Sequence, residues 1–100
     1  MAYINWYEVM LWSVFDTQVL ANYAMVVNGA VEMKPQNPKA HRLIVMNNSS
    51  SPLYMGADAS VNDMNGFPIF PGDMVAFNFY TEFSFYLYGN NQEIRVLELA

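Results

Sequence analysis

The chain has no cysteine and a single histidine, His41. Without cysteine there is no disulfide framework and no thiol nucleophile, and thiol usage gives no sign of the compartment. One histidine leaves any zinc site dependent on carboxylates, and the acidic residues are scattered, without the paired spacing that metal motifs show. Charge is scarce too: 13% of residues are charged, against about 25% in an ordinary globular domain. Four basic residues face nine acidic ones, a net charge of −5, which argues against a nucleic-acid backbone as partner. The N-terminus lacks the basic stretch of a secretory signal, and Asn5, Glu8, Ser13 and Asp16 interrupt its apolar residues. No signal peptide or membrane span is expected there, and a cytosolic origin is the default expectation.

What is present in quantity is apolar surface, 54% of the residues. One hundred residues make one small domain, whose interior is too limited to hide so much of it. A partner surface is therefore expected, and self-association is the simplest form of it. The basic residues cluster: Lys34, Lys39 and Arg42 lie within nine positions beside His41. A solvated loop, kept extended by Pro35 and Pro38, is the favoured reading, with an ionic contact site as the alternative.

From residue 17 onward the pattern is that of strands and turns. Val19, Ala21, Tyr23, Met25 and Val27 alternate with polar positions, and Asn28-Gly29 follows as a hairpin signal into a short return strand, Ala30–Met33. Further strands are expected at His41–Asn47, Leu53–Met55, Asp73–Phe79, Phe83–Tyr88 and Glu93–Leu99. Turns are expected at Ser49–Pro52, Asn65-Gly66, Pro71-Gly72 and Asn90-Asn91. Six to eight short strands with turns at regular spacing predict an all-β fold, an antiparallel β-sandwich or small barrel over residues 17–100. Residues 1–16 read as a separate docking arm. Ile4, Tyr7, Met10, Leu11, Val14 and Phe15 fit a helix slightly better than a strand, and the arm carries Trp6 and Trp12.

The Asn47-Asn48 turn is followed in order by Pro52-Leu53-Tyr54-Met55-Gly56, Asn65-Gly66-Phe67-Pro68-Ile69, Pro71-Gly72-Asp73 and the closing Ile94-Arg95-Val96-Leu97-Glu98. In this order and spacing they resemble a group of small virion proteins of tailed bacteriophages, over about two thirds of the chain. The resemblance implies a β-sandwich or jelly-roll-like module on the virion surface, made in the host cytoplasm. It further implies a capsid decoration or cement protein, without catalysis or cofactor, that binds the major capsid protein and itself as a trimer or other small oligomer. A fibre, tail or adhesin module that binds a host-surface glycan through its tyrosines is the alternative, and a small cupin-like metalloenzyme a more remote one. Neither nucleic acid nor membrane is implied as a partner. Trp6, Tyr7 and Trp12 of the arm are the first interface candidates, and Lys34, Lys39 and Arg42 the second. The arm lies outside the resemblance, and the strands after Asp73 are unusually aromatic for it.

Single residues give little chemistry. His41 reads as a strand-end histidine, and Asp58 and Asp63 as parts of a polar loop whose oxygens lack the fixed order of a calcium motif. Ser49–Ser51 read as a turn. Phe77, Phe79, Tyr80, Phe83, Phe85, Tyr86 and Tyr88 form a set without the positive charge of a nucleic-acid stacking platform; core and oligomer contact are the better reading.

Overall fold

The computed structural model describes residues 18–100. The 1–16 arm, with its helix-or-strand reading and its candidates Trp6, Tyr7 and Trp12, lies outside the described residues. The described part is all-β and antiparallel, as the turn spacing predicts. It has six strands: β1 (Val19–Met33), β2 (Arg42–Asn47), β3 (Leu53–Gly56), β4 (Phe67–Ile69), β5 (Met74–Asn78) and β6 (Phe85–Leu99).

The long strands β1 and β6 run antiparallel along their whole length and organise the rest. On its other side β6 pairs with β2 through residues 94–99 and with β3 through residues 86–88. Strand β5 extends the sheet beyond β2, and β4 beyond β3. The sheet thus splits into two halves that share β1 and β6. One buried cluster joins them, with Leu43 and Val45 of β2, Leu53 of β3, Leu87, Ile94 and Val96 of β6, and Val27 of β1.

Two expected hairpins are absent, for one reason. Asn28-Gly29 and Asn90-Asn91 do not reverse the chain; they face each other across the β1–β6 ladder, between the pairs Val27↔Gln92 and Gly29↔Gly89. Gly29 (φ 75°) and Asn91 (φ 53°) supply the positive φ that a turn would use, but here they form a bulge with an extra residue on β6. The bulge lies where β6 passes from β3 to β2. Gly89 is needed at the same place because a Cβ there would meet Leu53 Cδ2 at 2.6 Å.

A second bulge, at Leu20, shifts the register between Val19 and Ala21. It puts Val19 on the outer face with Leu99, whereas Tyr23, Met25 and Val27 keep the inward side that the alternation gives them. The Pro71-Gly72 turn forms as expected: the Asp73 amide donates to the Phe70 carbonyl at 2.9 Å, with Gly72 at φ 83°. Residues 67–69, just after Asn65-Gly66, form the short edge strand β4, where Pro68 removes no ladder bond from a central strand.

Candidate interaction surfaces

Strand β2, RLIVMN, is apolar at four consecutive positions, so both of its faces are apolar. Leu43 and Val45 point into the core. Ile44 and Met46 point to the outer face, and register places Ala76 and Met74 of β5 and Leu97 of β6 beside them. Ala24 and Val26 of β1 continue this face, and Val26 is 57% exposed. Ile44 and Leu99 are buried yet stand apart from the core cluster, as the inner layer of this second apolar surface. Ala24, Ile44, Met46, Met74 and Leu97 line a shallow depression of about 380 Å³. Charge reaches the middle of this face, where Arg95 of β6 stands between Ala24 and Met46 and pairs with Glu93 at 3.0 Å. Hydrogen bonds from Asn48 first, and then Arg95, hold the Glu93 carboxyl below the usual range.

The outer face of the other half differs: Tyr54, Tyr86 and Tyr88 stand there, half-buried, beside Ala30 and Glu32 of β1. Strand β1 itself pairs only with β6 among the described residues and carries one charge, Glu32, in fifteen residues. It lacks the proline and repeated charges that commonly guard an edge.

A groove of about 720 Å³ opens between the 34–41 and 79–84 segments. Tyr80 stands at its rim, 91% exposed, with its ring 6.2 Å from that of His41. Phe79 and Phe83 stack at 5.0 Å and 10°, and Phe77 and Phe85 continue the aromatic cluster inward, with centroid distances of 4.8 to 5.7 Å. The His41 Nδ1–H donates to the Phe79 carbonyl at 3.2 Å.

Glu98, the last residue of the closing Ile94–Glu98 motif, supports the groove's first wall. It is fully buried. It accepts the Tyr23 hydroxyl at 2.6 Å, the Gln36 amide at 2.8 Å and the Asn37 amide at 2.9 Å. A buried carboxyl is tolerable only when its oxygens are satisfied in this way. Burial, and then the bond to Glu98, push the Tyr23 phenol well above its ordinary value. The signal in the sequence is period: Ile94, Val96 and Glu98 share the inward side of β6, so Glu98 is an acid at a core position.

The three basic candidates do not come together as one patch. Lys34 lines the groove with His41, Lys39 is exposed, and Arg42 points to the outer face and donates from Nε to Asn78 Oδ1 at 2.7 Å. The Asp58 carboxylate is occupied by the Ser60 amide and hydroxyl, which hold it below its usual range. No three histidine, aspartate or glutamate side chains gather to hold a metal among the described residues.

Ser49 and Ser51 belong to a neutral buried network. Asn47 Nδ2 donates to the Ser51 and Ile69 carbonyls, and Gln92 Nε2 to the Ser51 and Pro52 carbonyls, all within 2.8–3.0 Å. This network pins the turns that carry the motif residues from Asn47 to Gly72. No protein-family model, curated protein or solved structure matches the chain.

Proposed function

We propose that the protein is a non-catalytic virion protein that binds an assembled phage shell and stabilises it, acting as a trimer or other small oligomer. The observation that carries this reading is the outer apolar face of β2, β5 and β6, built from Ile44, Met46, Met74 and Leu97 on the side of the sheet away from the core. An antiparallel sheet with one solvated face is normally polar there. A largely apolar face whose charges, Arg95 and Glu93, are already paired with each other is instead suited to burial against a subunit. Many copies that each bind only the closed shell raise the cost of opening it, because binding to one state stabilises that state. The resemblance to phage virion proteins supplies the setting, and the major capsid protein is the partner it implies.

The test is co-sedimentation with undecorated shells of the cognate phage. Met46→Glu places a carboxylate on the outer face opposite Arg95. The expected result is unchanged circular dichroism and at least a tenfold loss of shell binding. Deletion of residues 1–16 tests the contribution of Trp6, Tyr7 and Trp12. Equal binding by the Met46→Glu variant contradicts the assignment of the face, and equal binding by the deletion contradicts that of the arm.

A further inference from the structure

We propose that the groove between the 34–41 and 79–84 segments is a binding site for a neutral pyranose sugar, with the Tyr80 ring as its stacking platform. This site is separate from the outer face of β2 and β5 and does not depend on shell binding. Three observations lead to it.

The first is the bare aromatic ring. Tyr80 is 91% exposed, while its neighbours Phe79 and Phe83 are packed against each other. A tyrosine offers a flat apolar face and a polar tip, the combination that suits the C–H face and the hydroxyls of a pyranose.

The second is the set of polar groups that line the groove. Glu32 and Glu82 provide acceptors, Lys34 a donor, and His41 and Thr81 further polar edges. Two carboxylates set against one ammonium give no excess of positive charge, so a phosphate or sulfate polymer is disfavoured and an uncharged, hydroxyl-rich ligand is favoured. The volume of about 720 Å³ lies in the range of small-ligand sites, roughly 300–1,000 Å³.

The third is that the 34–41 wall is fixed in advance. Glu98 holds the Gln36 and Asn37 amides from beneath. The Lys39 amide donates to Asn37 Oδ1 at 2.9 Å, and the Ala40 amide to the Asn37 carbonyl at 3.1 Å. Opposite, the Phe79 amide donates to the His41 carbonyl at 2.9 Å. A wall already ordered loses little entropy when the groove is filled, which helps a weakly binding class of ligand bind measurably. Glu98 is a positioning residue here: it touches the loop and leaves the ligand to the groove side chains.

The experiment is a titration of the full ¹⁵N-labelled chain with cellobiose, maltose, lactose and N,N′-diacetylchitobiose, with a sulfated heparin disaccharide as the charged comparison. At least one neutral disaccharide is expected to give saturable shifts confined to residues 32–41 and 79–84. Tyr80→Ala, an exposed substitution that leaves the remaining spectrum in place, is expected to weaken that binding at least tenfold, and Tyr80→Phe to keep it within about threefold. The proposal is overturned if none of the four neutral sugars shifts these amides saturably. It is equally overturned if Tyr80→Ala binds as well as the parent or if the sulfated disaccharide binds more tightly than all four.

Discussion

The two faces of β2 are chemically alike at Leu43, Ile44, Val45 and Met46 and physically different. Inside, Leu43 and Val45 are fully buried in the cluster that joins both halves of the sheet. Outside, Ile44 is buried while Met46 and Met74 remain half-exposed around a shallow depression, and Val26 is open to water. Apolar residues inside stabilise the fold by the area they remove from water on folding. The same residue types outside have that area left to remove, and a partner is what removes it. The lesson is that β2 combines two tasks: Leu43 and Val45 hold the chain together, and Met46, beside Met74, keeps apolar area that a partner can cover.

Substitution can separate these tasks. Leu43→Ala on the inner face should cost about 3 kcal/mol of unfolding free energy in urea, the usual penalty for a truncated core leucine. Met46→Glu on the outer face should change stability by less than about 1 kcal/mol while removing association. If the outer substitution unfolds the protein as readily as the inner one, the outer face is part of the fold and the contrast fails.

Glu98→Ala ranks just below Leu43→Ala, at about 2–3 kcal/mol, because it leaves the Tyr23 hydroxyl and the Gln36 and Asn37 amides without their acceptor. It should also loosen the 34–41 wall, read as faster hydrogen exchange at residues 36 and 37. Gly29→Ala should cost about 1–2 kcal/mol: nothing lies within 4 Å of the added methyl, so the penalty is that of the positive φ alone.

Tyr23→Phe should cost about 1 kcal/mol at neutral pH. It also changes the alkaline limb of the stability curve. The folded protein holds the Tyr23 proton more tightly than the unfolded chain does, so the contribution is fully present below the ordinary tyrosine value, near pH 10, and is lost as pH rises above it. Thermal melts at rising pH should therefore fall more steeply for the parent than for Tyr23→Phe.

Much of this arrangement was legible in the residues. The strands around Arg42–Asn47, Leu53–Gly56 and Met74–Asn78 follow from local alternation, and the Pro71-Gly72 turn from its own chemistry. Asn28-Gly29 and Asn90-Asn91 were misleading because positive φ is a local property, whereas chain reversal depends on what lies across the ladder. Each of these dipeptides meets the other, and together they bend two continuous strands where two hairpins were expected. The groove was hidden for a similar reason. Its walls come from segments about forty residues apart, and the acid that fixes the first of them is 61 residues from the Asn37 amide it holds. Only the inward position of Glu98 in β6 hinted at it.

The most direct test of association through the outer face is the mass of the full-length protein by light scattering, followed by mixing with undecorated shells, for the parent and for Met46→Glu. A small oligomer that sediments with shells, together with a folded variant that does not, is the predicted result. A parent protein that stays monomeric and leaves the shells bare would contradict both the oligomer and the shell-binding role.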